Sequence, residues 1–569
     1  MSEEDQEPRG KRKKKKSGTK ARHLKIREMS VFVSDEESSL NEPTARPGNH
    51  MARTGKRWSG SGQVRSVKLS NTDGVHESVE TEDYISPGQL YSTESGRLFH
   101  AGRILIVLVG LPATSKTLLS VAITRYTRWL GVRTKSFHVS EYRRQMTDYV
   151  PDEYFSAVPQ TKEGMEYRRK VMTIVHEDMV RFFNDTKGQL GVYDALNIRS
   201  SERRDIADKF SSMNIKVLFI ESRMTDAELI NRSIKMAAQS SDYYGLPKVE
   251  ARAEYMKRIS LNKPLYESMS PEEGLSYVEY INFGQELRIY NNHYGYLTNK
   301  IVFFLMNLRE KKGCVYFARC GTSDADNYLN DEELNEDGKK YSQMLTDLVV
   351  NRINERRRKT HGAITPASRK ISPVTEPLEF LLIPTQASVE REAFRGDHRI
   401  RQTPSWDGAD EDSFVVWTAP RKRTYDTAKF FENRGISVRQ RSQLQQLNPG
   451  VVADMSEEQI KAKYPMEYFE WSKDPYHHRF PRAESYHDLA VRMEPLLLEM
   501  ERMQGDILII GHESTLRVLY GYLMACTCTE LPSLNFQRDK LIEISFSPFQ
   551  NKATLIPIPP VTSYSSRQS

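Results

Sequence analysis

The chain has 569 residues, a formal net charge of +7 and a hydrophobic content of 38%. This length accommodates two or three domains, and the low mean hydropathy of -0.63 indicates that part of the chain is unfolded. The sequence has no apolar run long enough to cross a membrane and no signal-peptide pattern, which predicts a soluble intracellular protein. Its four cysteines are too few for a disulfide framework, in agreement with a reducing compartment.

The N-terminal segment carries no signal for regular structure. It lacks apolar periodicity and is rich in Ser, Gly, Lys, Arg and Glu, so we interpret residues 1–95 as a disordered tail. Ser30, Ser34 and Ser86 lie close to basic, acidic or proline residues, and a phosphate added there would act through local charge. The tail is therefore a candidate target of protein kinases.

Two basic blocks, at 11–16 and 356–359, hold much of the positive charge. Such blocks act as nuclear signals or attract phosphates, but a solvated disordered segment is the commoner explanation. They lack interleaved aromatic residues, which makes nucleic-acid binding a weak third hypothesis for the function. We expect a cytoplasmic protein, with the nucleus as the alternative location.

The strongest functional signal begins at Arg103. Six branched apolar residues at 104–109 predict a strand buried on both faces, and an amphipathic helix begins after Thr117. A strand, a small-residue loop, Lys-Thr and a helix form the layout of a phosphate-binding P-loop. The loop residues are Gly110, Leu111, Pro112, Ala113, Thr114, Ser115, Lys116 and Thr117.

This loop predicts a nucleotide site. Backbone N–H groups would cradle the β-phosphate, Lys116 would reach the β- and γ-phosphate oxygens, and Thr117 would hold Mg²⁺. Ser115 stands where the pattern G-x-x-x-x-G-K-[ST] has its second Gly, so we expect the loop to be narrowed or strained there. An ordinary strand-to-helix turn with a solvated lysine is the alternative.

Polar residues follow the next predicted strands. The strand at 133–139 leads to Arg143 and Arg144, whose guanidinium groups suit a second phosphate. A short strand that begins at Gly191 ends at Asp194, the expected Mg²⁺ partner of a P-loop, with a helix N-cap as the alternative.

The alternation of strands and helices predicts a doubly wound parallel sheet over residues 96–310. Within it, helices are predicted over 161–184, which carries Arg168, and over 296–308.

A second α/β domain is predicted over 311–555. Its predicted strands lie in the stretches 314–321, 415–418 and 506–513, which again end in polar groups. We expect a long flexible insertion over about 351–411, because this stretch is rich in Arg, Pro, Ser and Asp. Residues 556–569 are predicted to form a loose tail.

Several motifs in this order resemble the bifunctional 6-phosphofructo-2-kinase/fructose-2,6-bisphosphatase family, over about 100 to 550 apart from the insertion. They are the loop at 110–117, Glu141-Tyr142-Arg143-Arg144, Asp194-Ala195-x-Asn197, Met256-Lys257-Arg258-Ile259, Tyr464-Pro465-x-Glu467-Tyr468, Arg479-x-Pro481, Glu484-Ser485-Tyr486 and Ile510-x-His512. The resemblance implies a P-loop kinase domain followed by a histidine-phosphatase domain of the phosphoglycerate-mutase type, and it suggests a homodimer.

The resemblance also implies ligands and roles. The kinase would move the γ-phosphoryl group of ATP to O2 of fructose 6-phosphate, and the phosphatase would remove the same phosphate from fructose 2,6-bisphosphate. Lys116, Thr117 and Asp194 fall on the ATP and Mg²⁺ positions. The sugar-phosphate contacts fall on Arg143, Arg144, Arg168 and Arg258.

The kinase half departs from the family at three places. Ala238 stands where the family has a catalytic lysine, Leu196 replaces a threonine, and Met224 replaces a cysteine. Losing one transition-state cation should cost roughly 3–4 kcal/mol, or a factor of about 10²–10³ in rate. Lys235, one helical turn earlier, is a candidate substitute.

The phosphatase half departs further. The family's histidine nucleophile is replaced by Cys320 and its general acid by Gln446, so we expect no phosphatase activity. A thiolate nucleophile at Cys320 is an alternative, against a plain buried cysteine. The remaining pocket, which is expected to hold a phosphate without turnover, comprises Arg319, Arg423, Arg482, His512 and Arg517.

Two hypotheses from different classes follow. The first is a kinase that makes fructose 2,6-bisphosphate and carries a silent phosphatase domain. The second is a non-catalytic regulatory protein that binds ATP and sugar phosphate, which Ser115, Leu196 and Ala238 favour.

Overall fold

The computed structural model describes residues 87–88, 102–146, 150–238, 243, 246–291, 295–361, 413–547 and 551–560. All of them belong to one compact unit, Thr54–Ser569. Ser30, Ser34, Ser86 and the block at 11–16 lie outside the described residues, so the kinase-target prediction stays a prediction. Within the described ranges, no helix combines the length and the apolar character needed to cross a membrane.

The first sheet contains six strands in the first half of the chain. They are β1 (Arg103–Val109), β2 (Thr134–His138), β3 (Leu190–Asp194), β4 (Ile215–Arg223), β5 (Tyr277–Ile281) and β6 (Glu286–Tyr290). Their spatial order is β2-β3-β1-β4-β5-β6. The first five run parallel, and only the edge strand β6 is antiparallel.

Seven helices pack around this sheet in the described part of the chain. They are α1 (Lys116–Trp129), α2 (Val139–Met146), α3 (Lys162–Asn184), α4 (Ser200–Ser211), α5 (Ala227–Ala237), α6 (Lys248–Asn262) and α7 (Tyr296–Asn307). Side chains of β1 alternate between the two faces: Ile104, Ile106 and Leu108 pack with α1 and α7. Leu105 and Val107 pack with α3 and α4. The prediction of a doubly wound sheet is confirmed.

The second sheet is mixed. Its strands are β7 (Val315–Arg319), β8 (Phe414–Thr418), β9 (Ser437–Gln440), β10 (Asp506–Gly511), β11 (Lys540–Phe546) and β12 (Asn551–Pro557). Their order is β12-β11-β7-β10-β8-β9. The four strands from β7 to β9 in this order are parallel, whereas β11 and β12 are antiparallel additions at one edge.

The helices of the second half are α8 (Glu336–His361), α9 (Lys422–Glu432), α10 (Glu457–Lys463), α11 (Pro465–Lys473), α12 (Tyr486–Arg502) and α13 (Glu513–Leu523). Ile507 and Ile509 of β10 pack with α12 and α13. Leu508 and Ile510 face the other way, toward α8 and α9. A second α/β layer arrangement is thus present, as predicted.

The two halves share a buried joint between α1, α12 and α13. Arg125 of α1 forms a 2.6 Å ion pair with Glu501 of α12, which also accepts a 2.7 Å hydrogen bond from the Tyr522 hydroxyl. Trp129 lies edge-on to the Tyr522 ring. Burial opposes the charge on Glu501, but Arg125 and Lys311 hold its pKa below the ordinary value. A buried ion pair of this kind tolerates loss of one partner poorly, since the other charge stays buried.

The predicted insertion begins too early. Residues 351–361 continue α8, so they belong to a regular helix rather than to a flexible segment. Ile353 is buried, and Arg356 forms a 2.5 Å ion pair with Asp506 that Arg357 joins at 3.3 Å. The basic composition misled the prediction because these arginines pair with a buried carboxylate. The remainder, 362–412, lies outside the described residues.

Two further boundaries shift. Residues 556 and 557, assigned to the loose tail, complete β12 and pair with Leu541 and Lys540. Pro87 and Gly88, assigned to the disordered tail, are buried; Gly88 N–H donates to the Trp129 carbonyl. The other domain limits stay predictions.

Candidate functional site

The first site lies where β1, β2 and β3 end. Asp194 is the last residue of β3, and it pairs in register with Leu108 on one side and His138 on the other. The Thr117 hydroxyl donates to Asp194 Oδ2 at 2.7 Å, and His138 Nδ1 lies 2.9 Å from the same oxygen. The N-cap alternative for Asp194 is wrong, because the next helix begins after Arg199.

Lys116 is folded into the loop. Its side chain is buried, and Nζ donates to the carbonyls of Gly110 and Leu111 at 2.8 and 2.6 Å. Burial lowers the pKa of Lys116 to about 8, although the Asp194 carboxylate opposes the shift. For Asp194, burial acts the other way, but His138, Lys116 and Thr117 bring its pKa below the ordinary value. The alternative of a solvated lysine is therefore wrong.

The loop is strained where the sequence predicted it. Ser115 has φ 62° and ψ 24°, the left-handed conformation that glycine adopts without cost, and Ala113 has φ 67°. The Ser115 hydroxyl lies 3.3 Å from that of Ser233 on α5. The Ala113 N–H donates to the Tyr255 hydroxyl of α6 at 2.9 Å. Helices α5 and α6 therefore touch the groups that would meet a phosphate.

One cavity of about 270 Å³ joins the loop to the four predicted arginines. Its wall includes Arg143, Arg144, Arg168 and Arg258, together with Ser115, Lys116, Thr117, Asp194, Leu196, Phe155 and Tyr255. The Arg258 guanidinium lies 3.5 Å from the centroid of the Phe155 ring, which fixes its plane. Arg168 lies 3.7 Å from Glu202. Cations from four separate segments thus meet beside the P-loop.

The resemblance places the missing lysine at Ala238, which does not line the cavity. Ala237 is part of the cavity wall, whereas Ala238, its neighbour, is not. Lys235 does not fill this role, because its side chain is exposed while Ser233 and Ile234 form the buried face of α5. The proposed substitution by Lys235 is therefore not supported.

A second cavity, of about 210 Å³, lies beyond β7 and β10. Its wall includes five of the predicted pocket residues: Arg319, Arg423, Gln446, His512 and Arg517. Two predicted members do not line it. Arg482 is exposed with φ 62°, and Cys320 is fully buried behind the wall, with Sγ 3.8 Å from His512 Nδ1. This burial agrees with the alternative prediction that Cys320 is a plain buried cysteine and not a nucleophile.

The arginines of this second cavity are paired with carboxylates of the chain itself. Arg423 forms an ion pair with Asp326, which Arg538 approaches at 3.6 Å. Glu513 lies 3.5 Å from Arg319 and 3.2 Å from Arg517. These two carboxylates supply negative charge where a phosphate would otherwise bind, so the cavity is far less cationic than its arginines suggest.

Four buried polar atoms of residues lining this cavity have no hydrogen-bond partner among the described residues: Arg319 Nε, Gln446 Oε1, His478 Nε2 and His512 Nε2. Burial, together with Arg423 and Arg421, holds the pKa of His512 well below its ordinary value, so the imidazole is neutral. A neutral imidazole beside a glutamine amide supplies neither a strong acid nor a charge.

Sequence reasoning missed His138, Tyr255, Asp326 and Glu513. His138 had a usable signal, because it closes a predicted strand of a parallel sheet, where ligand groups collect. Glu513 directly follows His512 and was likewise within reach. Tyr255 and Asp326 approach their partners from a helix and a loop distant in sequence, and no local pattern marks them.

Comparison with known proteins identifies a family for each half of the chain. Residues 91–312 match the 6-phosphofructo-2-kinase model, and residues 407–557 match the Histidine phosphatase superfamily (branch 1). The Saccharomyces cerevisiae protein YLR345W, provisionally named 6-phosphofructo-2-kinase/fructose-2,6-bisphosphatase, is 57% identical over 93% of this chain and 99% of its own length. The chain belongs to the 6-phosphofructo-2-kinase/fructose-2,6-bisphosphatase family.

More distant members of the family align over most of the chain. The chicken 6-phosphofructo-2-kinase/fructose-2,6-bisphosphatase is 30% identical, over 76% of this chain and 79% of its own length. The Saccharomyces cerevisiae fructose-2,6-bisphosphatase is 28% identical, over 82% of this chain and 91% of its own. Among solved structures, a mycobacterial glucosyl-3-phosphoglycerate phosphatase covers 44% of this chain and 98% of its own at 18% identity, but its TM-score of 0.28 is too low to carry weight.

Replacing Ser115 by glycine tests the strain in the loop. The left-handed conformation costs a non-glycine residue about 1 kcal/mol, so Ser115→Gly should raise the free energy of unfolding by about that amount in urea denaturation. The matched control is Ser115→Ala, which loses the contact with Ser233 but keeps Cβ. Equal stabilisation by both variants would assign the effect to the hydroxyl instead of the backbone.

Proposed function

We propose that this chain is a 6-phosphofructo-2-kinase that moves the γ-phosphoryl group of ATP to O2 of fructose 6-phosphate, and that its phosphatase domain is silent. The observation that carries the proposal is the single cavity shared by Lys116, Thr117, Asp194 and the arginines. The phosphate-binding loop and the arginines therefore line one common space. Family membership supplies the identity of the two substrates.

The chemistry of the transfer suits these residues. Phosphoryl transfer needs positioned cations more than a protein nucleophile, because charge spreads over the oxygens of the transferred group. Lys116 would have to leave the carbonyls of Gly110 and Leu111 to reach those oxygens. Arg143, Arg144, Arg168 and Arg258 would hold the sugar phosphate by forked hydrogen bonds.

The Thr117 hydroxyl and the Asp194 carboxylate fit Mg²⁺. Both are hard oxygen donors, and Mg²⁺ is commonly held by one or two protein oxygens together with phosphates and waters. No cluster of three or more His, Cys, Asp or Glu side chains exists among the described residues, so a fully protein-ligated metal is not supported there. When bound, Mg²⁺ would neutralise charge on the nucleotide phosphates.

The second candidate is a non-catalytic binder of ATP and sugar phosphate. It is favoured by the hydrogen bonds within the loop, since Lys116 and the Ala113 N–H already bond to groups of the protein itself. Ala238, at the position where the family has a lysine, points the same way. The homodimer, the cytoplasmic location and modification of the tail remain further proposals.

A product assay decides between the two candidates. Purified full-length protein with ATP, Mg²⁺ and fructose 6-phosphate should form fructose 2,6-bisphosphate, at a rate that Lys116→Ala lowers by about 10²-fold or more. Thermal denaturation of the variant serves as the control for folding. ATP binding by calorimetry without any product above the Lys116→Ala background would support the non-catalytic candidate.

Adding a lysine to the cavity wall should accelerate the kinase. Ala237→Lys adds a cation to the cavity and is expected to raise kcat by about 10- to 100-fold, within the range that a transition-state donor contributes. Ala238→Lys is the matched control, because it adds the same charge one residue away, off the wall. Equal rates for both variants would contradict a role for this part of the wall.

The C-terminal domain should not hydrolyse fructose 2,6-bisphosphate. Loss of a covalent nucleophile costs on the order of 10⁶ in rate, and Gln446 cannot protonate a leaving oxygen. We expect Cys320→His with Gln446→Glu to restore measurable phosphate release, and Asp326→Asn to increase it further by releasing Arg423. Cys320→Ser with Gln446→Glu is the control without a nucleophilic imidazole. Appreciable hydrolysis by the unmodified protein would refute the proposal.

A further inference from the structure

His138 has no role in the motifs that define the first site, yet it contacts the central carboxylate. It is the last residue of β2, and its side chain is 1% exposed. Its Cα pairs in register with that of Asp194, and Nδ1 lies 2.9 Å from Asp194 Oδ2. The pairing of the adjacent parallel strands β2 and β3 therefore brings the imidazole and the carboxylate together directly.

The hydrogen bonds around Asp194 assign a donor or acceptor role to each atom. Asp194, an ionised carboxylate at neutral pH, lies 2.9 Å from His138 Nδ1 through its Oδ2 atom. An ionised carboxylate only accepts, so His138 Nδ1 carries the proton of this bond. Thr117 Oγ1 donates to the same oxygen, Oδ2. The other oxygen, Oδ1, takes part in neither bond.

We propose that His138 is a positioning residue for the divalent cation of the nucleotide site. Together with Thr117 it fixes the Asp194 carboxylate in one orientation and leaves Oδ1 for the metal. Partners of this kind commonly contribute a factor of about 10–100 to metal affinity without touching the metal. The inference rests on the proposed function, since it assumes that a metal-nucleotide complex binds at this loop.

A purely structural histidine would behave differently. It would satisfy a buried carboxylate, and its removal would lower stability without changing how binding depends on Mg²⁺. Removing a positioning residue instead weakens the Mg²⁺-dependent part of nucleotide binding. The affinity for the nucleotide without metal stays the same. The two roles can therefore be told apart by binding alone.

The test uses the full chain with Asn, Gln and Ala at position 138. His138→Asn keeps an N–H close to the site of Nδ1, whereas His138→Gln moves it toward the site of Nε2. ATP binding is titrated calorimetrically in EDTA and in increasing Mg²⁺. We expect His138→Ala and His138→Gln to need about 10- to 100-fold more Mg²⁺ for half-maximal tightening, His138→Asn to approach the wild type, and all to bind equally in EDTA.

The outcomes separate the inference from the function on which it rests. Unchanged Mg²⁺ dependence in His138→Ala, with lowered thermal stability alone, overturns the positioning role. If the wild type binds no ATP in either condition, the proposed function fails. Mn²⁺ binding to the nucleotide-free protein, followed by electron paramagnetic resonance, then tests His138 separately, and equal Mn²⁺ affinities in wild type and His138→Ala overturn the inference.

Discussion

The buried charge of Asp194 is the constraint on which the first site depends. A carboxylate taken out of water must be compensated by hydrogen bonds and opposite charge, or it protonates. Here the compensation comes from two segments: His138 at the end of β2, and Lys116 and Thr117 at the start of α1. Satisfying one carboxylate therefore ties two strands and a helix together and fixes the shape of the loop without a ligand.

The two halves use the same structural device with opposite electrostatic results. In both, polar side chains collect where parallel strands end. Around the first cavity the four arginines come from three helices, α2, α3 and α6, and Arg168 lies 3.7 Å from Glu202. Around the second, Asp326 and Glu513 lie among the arginines and cancel much of their charge. The second cavity thus differs from the first in its electrostatic field as well as in its reactive groups.

Local patterns in the sequence were enough for the strands, the loop and the arginines of the first cavity. Buried apolar runs such as 104–109 admit few structures, and a left-handed Ser115 follows from the loop pattern alone. Contacts between distant segments were out of reach. The partner of Tyr255 is a loop amide 142 residues away, and composition could not reveal that Arg356 folds against Asp506. Arg482 was misassigned because a motif gives spacing and not the direction of a side chain.

The two ends of helix α1 make different contacts. Its first residues, Lys116 and Thr117, serve the nucleotide loop, and its last turns carry Arg125 and Trp129 into the joint with α12 and α13. If the chain were cut to its first half, the Arg125 guanidinium would lose its ion-pair partner and the Trp129 indole would lose its contact with Tyr522. Both lie on the helix that begins at Lys116. Whatever reaction it carries out, the C-terminal domain is thus the surface against which helix α1 is held.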